Sequence, residues 1–219
     1  MLSNTEENYL KAIFKISERS QKSASTNAIA RHLGTSAASV TDMIQKLADK
    51  AYVNYQKYKG VTLTLAGSKV ATDLIRKHRL WESFLVNKLR FSWDQVHDIA
   101  EEMEHIKSPE LIMRLDAYLD YPKFDPHGDP IPNASGKFTI RSQTALSDMH
   151  EGQQGTVIGV RDHTTAFLQY LGKYNIKLGT HIAVTGQELF DRSLHVIIDT
   201  KIKTSLTEQV AQNLLIRKG

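Results

Sequence analysis

The sequence predicts a mostly α chain with some β structure. It reads as an N-terminal winged helix-turn-helix, a helical middle and a small β-barrel at the C-terminal end. Three observations carry this. Apolar residues recur at helical spacing through the first 50 residues and again from Ser68 to Leu119. Between them, YVNYQKYKGVTLTLAG (Tyr52 to Gly67) alternates apolar and polar residues around Lys59-Gly60, the pattern of a two-stranded ribbon. Past residue 152 the runs GTVIGV, HIAVTG, LHVIID and NLLIRK are separated by glycine, asparagine and aspartate, as in a small barrel.

Taken in order, Tyr9, Leu10, Ile13, Phe14 and Ile16 mark a first amphipathic helix, and Ala28, Ile29, Ala30 and Leu33 a second that stops at Gly34. Ser36 is the N-cap of a third, in which Val40, Met43, Ile44 and Leu47 fall at i, i+3, i+4 and i+7. The ribbon completes a winged helix-turn-helix over residues 1–70. Residues 71–120 form an all-helical unit, broken near Phe91-Ser92 and again at Ser108-Pro109, where a serine cap precedes a proline at the first helical position. Residues 121–145 contain YPKFDPHGDPIPNASG, with four of the five prolines, and cannot continue a helix. Residues 146–219 form the barrel.

Composition narrows the function. The 219 residues are 41% hydrophobic and 24% charged, ordinary values for a globular chain. The absence of cysteine excludes disulfide scaffolds, thiolate zinc sites and cysteine nucleophiles, so a metal bound here must use histidine, carboxylate, amide or water ligands. No stretch reaches the roughly 20 apolar residues that cross a bilayer, and the first residues lack a signal-peptide pattern, so a cytoplasmic protein without membrane partners is expected. The net charge is only +4, but residues 1–70 hold ten lysines and arginines against five acids.

A helix-turn-helix places the start of its second helix in the major groove of DNA. Ser36, Ala37, Ala38, Ser39, Thr41 and Asp42 occupy that stretch, all off the apolar face. Gln45 and Lys46 lie one turn on, and the wing offers Tyr55, Lys57, Tyr58 and Lys59 to the phosphate backbone. A winged helix used for protein contact is the alternative. The segment WDQVHDIAEEMEHIK (Trp93 to Lys107), read as one helix, sets His97, Glu101, Glu104 and His105 at i, i+4, i+7 and i+8 on one stripe. On the preceding helix His78 and Glu82 share a face at i, i+4. Two neighbouring helices that converge imidazoles and carboxylates suit a divalent cation.

At this point the chain resembles a known family. ENYLKAIFKI, SVTDMIQKLADKAYV, the wing ending in LTLAG, RKHRLWESFL, VHDIAEEMEHI and DPHGDPIP are similar, in order, to segments of the metal-dependent repressors of the diphtheria toxin repressor and manganese-transport regulator type. The resemblance implies a homodimer that binds operator DNA, a helical dimerisation and metal-binding domain, and an SH3-like (FeoA-like) barrel. It also implies two metal sites. A regulatory site takes Glu101, Glu104 and His105 with Asn8 from the first helix. A second takes His78, Glu82 and His97, with His163 from the barrel and Asp125 and His127 from the proline-rich loop; His78 and Glu82 suit either geometry. The resemblance further implies that metal uptake fixes the angle between two reading heads and so favours operator binding.

Several departures from the family are visible. Asn8 replaces the usual aspartate or methionine, and Lys11 stands where manganese-selective members carry glutamate, which argues against a second metal in the regulatory site. Glu101 and Asp125 occupy positions where relatives place cysteine, and Asp42 stands where relatives carry glutamine or lysine, which bears on the operator sequence. Hard oxygen and imidazole ligands suit Mn2+ first, or Fe2+. The expected function is therefore a metal-responsive repressor of metal-uptake genes and not an enzyme; a metallohydrolase would need an HExxH-like motif that is missing. A winged-helix regulator that answers to a non-metal ligand is the remaining alternative.

Overall fold

The computed structural model describes residues 2–20, 22–56 and 59–219. The chain forms two compact units: one of Met1–His78, Glu101–Ile112 and Pro132–Phe138, the other of Arg79–Ala100, Met113–Ile131 and Thr139–Gly219.

In the first unit, Ser3 and Glu6 form a reciprocal capping box at the start of α1 (Asn4–Ser20), and Glu6 also binds Lys50 at 2.6 Å. α2 (Thr26–Leu33) is capped by Ser25 and stops at Gly34, whose φ of 62° a residue with a Cβ disfavours. α3 (Ala37–Asp49) has the expected Ser36 cap, which accepts from the Ser39 amide at 3.1 Å. Its Val40, Ile44 and Leu47 are fully buried against Leu10 and Ile13 of α1 and Ile29 of α2. The ribbon, β1 (Val53–Gln56) and β2 (Gly60–Leu63), pairs in the register Val53↔Leu63 to Gln56↔Gly60, and Val61 also bridges Ala24 ahead of α2. A 23-residue helix, α4 (Leu65–Asn87), follows at once. It starts so close to the ribbon that a Cβ on Gly67 would lie 2.0 Å from the Tyr52 carbonyl oxygen, so the LTLAG ending is a packing requirement.

α4, α5 (His97–Met103) and α6 (Pro109–Tyr118) each supply residues to both units. The Ser108 cap holds, accepting from the Leu111 amide at 3.3 Å. The expected helix over Trp93 to Lys107 is much shorter. A turn closed by the Gln95 amide on the Ser92 carbonyl precedes it, and a tight turn closed by the Ile106 amide on Met103 ends it. Glu104 and His105 thus lie beyond the helix, and the single stripe expected from the spacing does not exist.

The second unit is built on a six-stranded antiparallel sheet. Its order is β3 (Thr144–Ala145), β8 (Leu214–Lys218), β4 (Gln154–Val160), β5 (His181–Gln187), β6 (Leu194–Ile198) and β7 (Ile202–Leu206), with α7 (Thr165–Lys173) and α8 (Glu208–Asn213) between strands. The four apolar runs of the sequence become β4, β5, β6 and β8. Val157, Ile182, Val184, Val196, Ile198 and Ile216 alternate inward onto Leu168 and Leu171 of α7.

The proline-rich loop docks on β4 of this sheet. The Val160 amide donates to the His127 carbonyl at 3.0 Å, and Arg141 donates to the carbonyls of Gly128 and, at 2.6 Å, Ile158, with its guanidinium 4.0 Å from the Phe124 ring centre. A bulge between Val157 and Gly159 marks the docking point. Gly128 has a φ of 89°, and a Cβ there would lie 2.1 Å from the Ile158 oxygen. Gly152 shares the conformation (φ 81°) with open space around it. Gly152→Ala is expected to cost only the left-handed penalty of about 1–2 kcal/mol in urea unfolding. Gly128→Ala is expected to cost clearly more, and equal losses would contradict the docking.

Candidate metal centres and nucleic-acid face

The first unit gathers one polar cluster. α1 presents Glu7, Asn8 and Lys11 within one turn, α4 presents His78, α5 ends near Glu101, and the turn after it carries Glu104 and His105. At its centre is Glu104, 1% exposed. Glu104 Oε2 lies 2.6 Å from Lys11 Nζ and 2.7 Å from His78 Nδ1, while Lys11 Nζ is also 3.4 Å from Glu101 Oε1 and from His78 Nδ1. Burial pushes the Glu104 carboxyl up, but the His78 hydrogen bond and the Lys11 and His78 charges together outweigh it and hold the group below its ordinary value.

The other face of Glu104 is different. Oε1 is buried and makes no hydrogen bond, and neither does the buried Oδ1 of Asn8. His105 Nε2 stands 3.9 Å from that Oε1, its ring held by Nδ1 at 2.7 Å from Glu7 Oε2. Two orphaned oxygens, an imidazole nitrogen and the neighbouring half-exposed Glu101 carboxylate are a hard donor set that fits a divalent cation. Glu7 was not singled out by sequence; a carboxylate next to Asn8 on α1 is the signal that could have found it.

The second cluster lies in the other unit. Glu82 of α4, Asp125 and His127 are all buried and bring one ligand atom each within 4.8 Å of one another. His127 Nε2 donates to the Trp93 carbonyl at 2.7 Å, which turns Nδ1, 3.7 Å from Glu82 Oε2 and without a hydrogen bond, toward the cluster. Such an outer hydrogen bond is how metal-ligating histidines are oriented. His97 Nδ1 reaches Glu82 Oε1 at 3.4 Å. Asp125 also organises its loop: Oδ1 accepts from the amides of His127 (2.8 Å) and Asp129 (2.9 Å), and Arg79 holds Oδ2 at 3.6 Å and Asp129 at 2.9 Å. His163 stacks on His127 with ring centres 4.9 Å apart and donates Nε2 to the Val160 carbonyl at 3.3 Å, so it packs on His127 rather than joining the group of Glu82, Asp125 and His127. Trp93 also stacks on His127, with ring centres 6.0 Å apart.

Of the six candidate ligands read on neighbouring helices, His78, Glu101, Glu104 and His105 belong to the cluster of the first unit, and in the second Glu82 reaches both His97 at 3.4 Å and His127 of the proline-rich loop at 3.7 Å.

On α3, Ser36, Ala37, Ala38, Ser39, Thr41, Asp42, Gln45 and Lys46 are all exposed. Ser36 Oγ caps the helix and Thr41 Oγ1 returns to the Ala37 carbonyl at 2.9 Å; Gln45 donates to Asp49 at 3.2 Å. The exposed surface at the head of the helix is thus short and largely methyl-bearing. Tyr55 is half-buried against the helix-turn-helix core, Lys59 is exposed, and Lys57 and Tyr58 lie outside the described residues.

Among the described residues no helix is long and apolar enough to cross a membrane. Residues 1–61 match the iron dependent repressor N-terminal DNA binding domain, residues 64–133 the iron dependent repressor metal binding and dimerisation domain, and residues 144–218 the FeoA domain. The chain is 35% identical over 119 residues to the HTH-type transcriptional regulator MntR of Oceanobacillus iheyensis, covering 54% of this chain and 80% of that protein. It is 46% identical over 76 residues to a probable metal transport system membrane protein of Chlamydia trachomatis, covering 35% of this chain and 17% of that one. Among solved structures, a manganese-dependent transcriptional repressor in complex with manganese superposes with a TM-score of 0.88 at 37% identity, over 97% of this chain and 99% of the other.

The second cluster is tuned by protons when no metal is bound. Burial pushes His127 down, but the nearby Glu82 carboxylate and the Asp125 charge overcome it and raise it from 6.5 to about 9. Burial, Glu82 and Asp129 raise Asp125 from 3.8 to about 7, against Arg79 and His127. Both groups bind protons more tightly in the fold, so their contribution is complete below the unfolded values and is lost as pH rises through the folded ones. The melting temperature of EDTA-treated protein is expected to fall between pH 6.5 and 9. His127→Gln should remove much of that slope, and an unchanged slope would contradict the assignment.

Proposed function

The chain belongs to the iron-dependent repressor family of metal-dependent, DNA-binding transcriptional regulators, and from that premise we propose that it is a cytoplasmic, homodimeric repressor of metal-uptake genes, answering first to Mn2+ and otherwise to Fe2+. The observation that carries the metal response is two buried oxygens without hydrogen bonds: Glu104 Oε1, 3.9 Å from His105 Nε2, and Asn8 Oδ1, next in sequence to the Glu7 that holds the His105 ring. A buried polar atom without a hydrogen bond costs stability of about 1–3 kcal/mol, and a bound cation removes that cost. Asn8 lies on α1, which packs in the same core as the reading helix α3, so an ion held at this place ties the reading head to the turn carrying Glu104 and His105. Its ligands are hard donors, with Glu101 as a carboxylate where a thiolate is absent, and this favours Mn2+ over softer choices.

In this reading metal supplies a multivalent positive charge that joins the carboxylates; everything else is done by the protein. Glu7 orients His105, Lys11 and His78 neutralise one side of Glu104, and Ser36 fixes the start of α3. Linkage then shifts the population toward the arrangement that fits two operator half-sites one or two helical turns apart. A second ion is assigned to Glu82, Asp125 and His127, with His97 beside Glu82 and His78 one turn earlier on α4; His163 braces His127 by stacking. The serine, threonine and methyl groups at the head of α3, with Gln45 and Lys46, read bases and phosphates, and Lys59 adds a backbone contact from the wing.

The test is a mobility shift on DNA upstream of the chain's own coding region, with EDTA and with Mn2+, Fe2+ or Zn2+. Wild type is expected to bind at least tenfold more tightly with Mn2+. A Glu104→Ala, His105→Ala double variant, checked for folding by circular dichroism, should lose that difference. Equal Mn2+ dependence in the variant would refute the assignment.

A further inference from the structure

Lys11 is buried, with 6% of its side chain exposed, and its ammonium stands among three acceptor groups: Glu104 at 2.6 Å, Glu101 at 3.4 Å and His78 at 3.4 Å. A lysine is rarely buried unless it is paired, and here its partners are the residues assigned above to metal. The arrangement splits Glu104 between two places. Oε2 faces Lys11 and His78, while Oε1, on a side chain that is 1% exposed, stands 3.9 Å from His105 Nε2 and has no hydrogen bond. One place is already filled by a positive charge, and the other is lined by atoms that still lack one.

We infer that Lys11 is a tethered cation: it fills one of two adjacent cation places, so that the Asn8–Glu104–His105 site takes a single metal ion, and it holds α1 against the turn after α5 before any metal arrives. This inference rests on the metal reading proposed above and extends it to stoichiometry and to the state without metal. The physical argument is charge balance. Glu101 and Glu104 carry two negative charges at a mostly buried site, and a fixed ammonium compensates one of them at all times. A divalent ion at the second place then meets a site with one fewer net negative charge than it would have without the lysine. Metal uptake is correspondingly weaker, and the fold without metal correspondingly firmer, than in a site with no such lysine.

Two variants separate the consequences. Lys11→Glu replaces the ammonium with a third carboxylate beside His78 and turns the filled place into an empty one. Refolded and dialysed with excess Mn2+, it is expected to retain one more ion per subunit than wild type by elemental analysis, with the electron paramagnetic resonance signature of an exchange-coupled Mn2+ pair that wild type lacks. Lys11→Met removes the charge at similar volume. Its melting temperature in EDTA should fall below that of wild type, and its rise on adding Mn2+ should be the larger of the two. An unchanged ion count in Lys11→Glu, or a coupled Mn2+ pair already present in wild type, overturns the inference while leaving the metal reading intact. An equal or smaller Mn2+ shift in Lys11→Met does the same. If wild type takes up no Mn2+ that the Glu104→Ala, His105→Ala variant loses, the metal reading itself falls.

Discussion

A carboxylate 1% exposed must be neutralised, and around Glu104 that single demand organises the first unit. It draws the Lys11 ammonium of α1 and the His78 imidazole of α4 to one oxygen, and it leaves the other oxygen 3.9 Å from His105 without a hydrogen bond. The helix-turn-helix follows from this anchoring because α1 carries both the polar turn of Glu7, Asn8 and Lys11 and, on its opposite side, the apolar residues that bury α2 and α3. Replacing one partner of such a pair costs far more than the pair itself stabilises, since the survivor is left charged and buried. The same dependence makes the site responsive, as the charge state around Glu104 bears directly on the helix that supports the reading head.

The second cluster solves a similar problem by a different route. Around Glu82, Asp125 and His127 the Arg79 guanidinium offsets part of the charge on Asp125 and protons offset more: His127 is held protonated to about 9 and Asp125 to about 7. Metal binding to such a group has to displace protons, so affinity rises with pH. Arg79 and Arg141 hold the proline-rich loop in place, one through Asp125 and Asp129, the other through two backbone carbonyls, and Gly128 lets the loop lie directly on β4. The barrel thus serves as the wall on which this loop is set, with Trp93 and His163 both stacked on the His127 ring.

Much of this was legible from residue order. The caps at Ser36 and Ser108, the ribbon around Lys59-Gly60 and the four apolar strand runs are local signals, and local chemistry decides them. What failed was the extension of helical spacing past Met103. Periodicity treats His97, Glu101, Glu104 and His105 as one stripe, but the helix ends at Met103 and Glu104 meets Lys11 and His78, partners far away in sequence that no window of the chain encodes. The strand over Ile202–Leu206 was invisible for the opposite reason: its residues are mostly exposed, so the apolar alternation that reveals a strand is missing. Arg141 was likewise unreadable, since one base in a loop resembles any other until the fold supplies its partner. Lys11 could be read as a departure from the family pattern, but only the structure shows that its charge faces Glu104.

The division of Glu104 between an ammonium and a metal is tested most directly by crystals grown with Mn2+ and measured on both sides of the manganese absorption edge. One anomalous peak is expected beside Glu104 Oε1, Asn8 Oδ1 and His105, with Lys11 still against Oε2. Two peaks there with Lys11 displaced to solvent, or no peak there at all, would contradict it.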